Sequence, residues 1–191
     1  MIIHLTASRS NVRKDFETLK KIIFIIHQSG AVLARDWIEP QYHIEVTKKA
    51  KELDPRDIFK FNLEAIERAD VVIVEASERS FGNGFQIAAA LNRKKPTLIL
   101  INESAVSTES SMSRGVEDPL LSRAVYRDHI ELDKAVAKFI DENTVTNKDL
   151  RFNFVIDRQI YNHLRLKSFK TKKTKAEIVR ELLQKDLGRE E

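Results

Sequence analysis

Short apolar runs alternate with amphipathic stretches along the first three quarters of the chain, and their order predicts strand followed by helix, repeatedly. Met1 to Leu5 reads as a strand, and a helix follows from about Asn11 to Gln28, closed by Gly30. Ala31 to Ala34 makes a second strand. From Asp57 to Ala69 the apolar residues Ile58, Phe61, Ala65 and Ile66 recur at three and four, the spacing of one helical face. Val71 to Val74 is a continuous apolar run of the kind buried on both faces of a parallel sheet. A loop with two glycines, Ser80 to Gly84, leads into a helix over Phe85 to Asn92. Thr97 to Ile101 and Ala124 to Tyr126 are the remaining strands, and Leu132 to Ile140 is the closing helix. This alternation predicts an α/β domain over residues 1–143, a parallel Rossmann-like sheet flanked by helices. Ligands are then expected at the carboxyl ends of the strands.

The period changes near the end. Residues 144–149 form a polar linker without apolar periodicity, and 150–191 form a second domain. Arg151 to Asp157 alternates as a strand does, with Phe152, Phe154 and Ile156 on one face and Arg151, Asn153 and Val155 on the other. Two helices follow, one with Ile160, Leu164, Leu166 and Phe169 as its apolar positions, the other running from Thr174 to Leu187. Roughly forty residues is close to the lower limit for independent folding, so a second copy of the chain is expected to cover the apolar strand face.

Charge is unevenly placed. Lys148 to Glu191 holds 12 Lys+Arg against 7 Asp+Glu, while the whole chain is only +4, so the excess positive charge sits on the tail. No apolar run is long enough to span a membrane or resembles a signal peptide, which leads us to expect a cytoplasmic protein. With no cysteine there is no disulfide, thiolate metal site or thiol nucleophile. The histidines, His4, His27, His43, His129 and His163, show no metal-ligand spacing, and neither a metal nor a cofactor is expected. Ser8 and Ser80 have no evident His/Asp partner. Trp37 could stack on a base or sugar, or serve as a large side chain at a domain core or subunit contact.

The tail, over about residues 150–187, resembles the ribbon-helix-helix family (β-α-α), in which paired strands of a dimer enter the DNA major groove. That resemblance makes Arg151, Asn153 and Val155 base-facing, which suits guanine, adenine and a thymine methyl. Thr174, with Glu177, would cap the second helix, and its exposed amides and Lys175 would hold a backbone phosphate.

The first domain carries a second resemblance. Ala69-Asp-Val-Val-Ile-Val-Glu75, Ser80-Phe-Gly-Asn-Gly-Phe-Gln-Ile87, Lys95-Pro96 and Ser110-Ser-Met-Ser-Arg-Gly115 resemble the nucleoside 2-deoxyribosyltransferase superfamily, and within it the deoxynucleotide N-hydrolases. The resemblance implies a nucleotide pocket lined by Ser8, Asn62, Gly82, Gly84, Gln86 and Ser110. It also implies a glutamate nucleophile and a second carboxylate that assists at the deoxyribose. Those positions are Gln86 and Asn62 here. An amide keeps much of the shape of a carboxylate but neither its charge nor its proton chemistry near neutral pH. Glu64, Glu75 and Glu78 are the nearby carboxylates, and Glu75 ends a strand in the resembling enzymes too.

These readings favour a dimeric protein, or a higher even oligomer, that binds double-stranded DNA as a transcriptional regulator or DNA-organising factor. Its first domain would be a catalytically silent nucleotide-sensing or oligomerisation module. Two alternatives stand beside it: an active nucleotide or nucleoside N-glycosidase with a basic C-terminal module, and an antitoxin-like or scaffold module whose tail binds protein.

Overall fold

The computed structural model describes residues 1–47, 53–108, 114–144 and 155–187. It divides into two compact units, Met1–Thr144 and Val145–Glu191.

The first unit is built on five strands, β1 (Ile2–Ala7), β2 (Val32–Leu33), β3 (Val71–Glu75), β4 (Thr97–Asn102) and β5 (Leu121–Tyr126). All pair in parallel, in the order β2-β1-β3-β4-β5. The helices are α1 (Arg9–Lys14), α2 (Phe16–Gln28), α3 (Ile38–Thr47), α4 (Pro55–Arg68), α5 (Phe81–Asn92) and α6 (His129–Glu142), with a 3-10 segment at Glu103–Thr108. The chain winds one way from β1 to β2 and the other way from β3 onward. The resulting topological switch point lies between β1 and β3, the place where sheets of this kind bind ligands.

Strand alternation sorts the core into two layers. Ile3, Leu5, Ala7, Val71 and Ile73 share one face with Val12 of α1, Leu19, Ile22 and Ile26 of α2, and Leu132, Val136 and Phe139 of α6. Val72, Val74, Ile99 and Ile101 share the other with Ile66 of α4 and Ile87 and Ala90 of α5. Each of the larger aliphatic side chains here contributes roughly 1.5–3 kcal/mol through burial.

Several predicted boundaries move, for local reasons. The single helix expected over Asn11 to Gln28 is two, because Asp15 leaves helical geometry and its carboxylate caps α2 by accepting from Thr18 N at 3.3 Å. Helix α3 was not anticipated, since its apolar residues are spread around its circumference rather than gathered on one face. Helix α5 begins at Phe81, so the two glycines lie in its first turn rather than in a preceding loop. Ser80 caps it by accepting from Asn83 N at 3.3 Å. Gly30 closes α2 as expected. Its φ of +75° allows Ala31 N to reach Ile26 O and Gly30 N to reach His27 O, the paired bonds of a glycine helix stop.

The second unit contains α7 (Arg158–Thr171) and α8 (Lys175–Leu187), with Leu164 and Ile178 buried. Of the strand expected ahead of them, Arg151, Phe152, Asn153 and Phe154 lie outside the described residues. Val155 and Ile156 are described, and neither is in a strand. Among the described residues no helix is long and apolar enough to cross a membrane.

Candidate active site at the strand ends

Two polar clusters occupy the carboxyl ends of the central strands, one on each face of the sheet. They arise from the same alternation that sorts the core.

The first cluster centres on Gln86. In β1 the polar side chains His4 and Thr6 interrupt an otherwise apolar strand, and both are buried. They lie on the face covered by α4 and α5. Gln86 reaches down from α5 and is held at both ends. Its Oε1 accepts from His4 Nε2 at 2.8 Å, and its Nε2 donates to Thr6 Oγ1 at 2.9 Å. An amide oxygen only accepts, so the His4 proton sits on Nε2 and Nδ1 is left as a buried acceptor without a partner. Burial is the main cause that lowers the proton affinity of His4. The Gln86 bond opposes it, and the charge of Arg35 adds to it. The ring is therefore neutral near pH 7.

Asn62, on α4, is half-buried, and its Oδ1 accepts from Arg35 Nη1 at 2.8 Å. Trp37, two residues past Arg35, donates from Nε1 to Leu5 O at 2.9 Å, tying this segment to β1, and packs partly buried against the core.

The second cluster centres on Glu75, which is fully buried at the end of β3. Ala7 pairs with Glu75 and Thr6 with Val74, so Glu75 points to the face opposite Gln86. Its carboxylate accepts from Asn11 Nδ2, Ser77 Oγ, Ser77 N at 3.3 Å and Tyr126 OH at 3.0 Å. Burial raises the Glu75 pKa above the usual carboxylate range, against these donors, and burial beside the carboxylate pushes Tyr126 up as well. Every oxygen is occupied by a structural donor. Asn83 adds a bond from Nδ2 to Glu75 O at 3.1 Å, which clamps the start of α5 to the end of β3. Glu75 is thus a fastener and not a substitute nucleophile. Glu78 is paired with Lys14 at 2.7 Å, and Glu64 is exposed on α4.

Ser8, at the end of β1, is buried and caps α1, accepting from Asn11 N at 3.0 Å. Asn11 in turn holds Glu75, so the loop after β1 is braced against β3. Gly82 and Gly84 flank Asn83 in the first turn of α5, and both are exposed. A Cβ on Gly84 would meet nothing within 4 Å, and one on Gly82 only Ser80 Oγ at 3.5 Å. Each costs the helix about 1 kcal/mol relative to alanine, and nothing in the surrounding protein requires either. They leave the backbone on either side of Asn83 bare and exposed. Ser110 lies outside the described residues.

Of the predicted pocket residues, then, Ser8 is fixed at the end of β1, and Gly82, Gly84 and Gln86 at the start of α5. Asn62 is bound to Arg35. His4, Thr6, Arg35, Asn11 and Tyr126 were not singled out for these roles. The signal for two of them was available: polar residues at positions 4 and 6 of an apolar strand must share one face. In the second unit Thr174 and Glu177 form the expected capping box, with Thr174 N donating to Glu177 Oε2 at 2.7 Å and Glu177 N donating to Thr174 Oγ1 at 3.2 Å. Lys175 Nζ sits 4.1 Å from the Tyr161 ring centroid, and Val155 is fully exposed. No group of three or more potential metal ligands occurs among the described residues.

No protein-family model matches the chain. Among curated proteins, a 2'-deoxynucleoside 5'-phosphate N-hydrolase 1 of Methanosarcina mazei is 31% identical over 140 residues, spanning 72% of this chain and 83% of that protein. The protein of the same name from Thermofilum pendens is 28% identical over 138 residues, spanning 72% and 92%. A 5-hydroxymethyl-dUMP N-hydrolase of Esox lucius is 27% identical over 135 residues, spanning 69% and 88%. A CMP N-glycosidase from Clostridium botulinum has the same fold, with a TM-score of 0.50 and 15% identity over 70% of this chain and 96% of that one. These matches overturn the reading of the chain as a DNA-binding regulator with a silent first domain. Most of its length is related to proteins named for hydrolysing nucleotides, and the tail's basic charge and alternating pattern are too general to outweigh that relation.

Proposed function

The chain belongs to the 2'-deoxynucleoside 5'-phosphate N-hydrolase family, and from that premise we propose that it hydrolyses the N-glycosidic bond of a nucleoside 5'-monophosphate, slowly and by direct attack of water. The water oxygen bonds to C1' as the bond from C1' to the base breaks. The base leaves with the bonding electron pair and ends protonated, and the other product is the sugar 5-phosphate. The basic tail is an accessory module in this reading.

The observation that carries the proposal, beside family membership, is the held position of Gln86 at the switch point. On the resemblance drawn from the sequence, Gln86 and Asn62 stand where the superfamily uses acids. Without a carboxylate at Gln86, a covalent glycosyl-enzyme has no nucleophile to form on. What the site offers instead is orientation. Ser8 and the bare backbone at Gly82 and Gly84 are suited to the 5'-phosphate, and Gln86, pinned by His4 and Thr6, presents a fixed amide dipole toward the sugar. The rate is accordingly far below that of an acid-bearing site.

The test is release of free base from a panel of 2'-deoxynucleoside 5'-monophosphates, separated chromatographically, with the corresponding nucleosides as controls. Base release above the enzyme-free blank, dependent on the 5'-phosphate, is expected. Gln86→Glu, which restores the nucleophile, should raise it by about a hundredfold or more, the scale on which one catalytic group acts. Nucleotide binding without any base release would reduce the protein to a binding domain and overturn the proposal.

A further inference from the structure

Arg35 stands just past β2, half-buried, in an arrangement the proposed hydrolysis does not use. Its Nη1 donates to Asn62 Oδ1 at 2.8 Å, and its guanidinium lies over the Phe61 ring, 5.3 Å from the centroid. The fork is therefore pinned at one end and stacked on one face. Among the described residues no carboxylate forms an ion pair with it. Burial holds its basicity somewhat below that of a free arginine, and its charge is felt at His4, which bonds Gln86. Arg35, Asn62, His4 and Gln86 thus form one electrostatic neighbourhood containing a positive charge, two amides and a neutral imidazole. None of these four groups carries a negative charge.

A guanidinium has five N–H donors, and Asn62 takes one of them. The remaining donors form a rigid planar fork that matches two oxygens of a phosphate, and stacking on Phe61 reduces the ordering such a contact would need. Position narrows the choice of phosphate. The 5'-phosphate is assigned above to the ends of β1 and β3, at Ser8 and the glycines of α5. Arg35 leaves β2, which lies one strand spacing from β1 and two, or roughly 10 Å, from β3. One sugar bearing a phosphate at each end can span that gap.

We propose that Arg35 and Asn62 form a second phosphate subsite, so that the site prefers a nucleotide carrying a phosphate on its 3'-oxygen as well as its 5'-oxygen. The proposal rests on the nucleotide reading above and adds to it the class of ligand. A solvated surface arginine, the plain alternative, would leave ligand choice unaffected.

The experiment is equilibrium binding to the full chain of 2'-deoxyadenosine 5'-monophosphate, 3',5'-bisphosphate and 5'-diphosphate at one fixed salt concentration. The diphosphate carries comparable extra charge at the other end. The bisphosphate should bind about tenfold or more tightly than the monophosphate, as one charge-assisted contact allows, and the diphosphate should show no such gain. In Arg35→Gln the ratio of bisphosphate to monophosphate affinity should collapse toward one, and in Arg35→Lys part of it should survive. Thermal melts of both variants establish that they are folded. A wild-type ratio near one, or a ratio unchanged in Arg35→Gln, overturns the subsite while leaving the nucleotide reading intact. If none of the three nucleotides binds, the nucleotide reading fails and the subsite falls with it.

Discussion

Gln86 and His4 depend on each other. The imidazole must stay neutral to leave Nε2–H as a donor and to remain buried, and burial lowers its proton affinity. The unfolded chain takes up that proton near pH 6.5 while the folded protein resists it, so stability held above that pH is lost as pH falls below it. Glu75 works in the opposite sense. Its folded pKa is raised, so its contribution is full below the unfolded carboxylate value and is lost as pH rises through the folded one. Comparison with His4→Asn, which keeps a donor but cannot titrate, separates the two. The melting temperature of the wild type relative to His4→Asn should fall between about pH 7.5 and about pH 5.5. A constant difference over that range would mean that His4 is not held neutral.

Residue identity made some of this legible in advance. The order of motifs pointed to Gln86 and Asn62, because the glycine turn before one and the Val71 strand after the other mark their places. His4, Thr6 and Arg35 were harder to see, because their roles depend on partners 27 to 82 positions away in sequence. Glu75 stood out as a carboxylate near the site. Only strand pairing settled that it faces away from Gln86.

At the scale of elements, the strands and the main amphipathic helices were readable from period alone, since burial on one face leaves a regular trace. Helix α3, with no apolar face, left no such trace, and two boundaries were moved by single capping residues. Asp15 splits a helix that periodicity runs together, and Ser80 starts α5 four residues ahead of the expected position. The end of α5 offers a direct check on such local control. Lys94 adopts φ of +57°, and it lets Lys94 N reach Leu91 O and Lys95 N reach Ala90 O, as Gly30 does at the end of α2. A side chain in that left-handed conformation costs roughly 1–2 kcal/mol. Lys94→Gly should therefore stabilise the protein by about 1 kcal/mol in denaturant unfolding, and a destabilised variant would show that the Lys94 side chain makes a contact of greater worth.

For the whole molecule, the parallel sheet brings β1 and β3 together at a switch point, and the same geometry separates two polar clusters that lie close in sequence. One braces the scaffold through Glu75. The other, through Gln86, lies on the opposite face of the sheet, where the nucleotide is proposed to bind. Charge and pattern in the tail drew the sequence reading toward DNA, and the amides at Gln86 and Asn62 led it to treat the first unit as silent although its motifs already resembled those of the deoxynucleotide N-hydrolases. Direct attack of water at C1' is the central claim, and the configuration of the product reports on it. The reaction of a 2'-deoxynucleoside 5'-monophosphate should be followed by NMR in water containing methanol, where both solvents compete for C1'. The account predicts free base together with a methyl 2-deoxyriboside 5-phosphate of inverted configuration for the wild type, and retained configuration for Gln86→Glu. Retention by the unmodified protein, or no base above the blank, would contradict it.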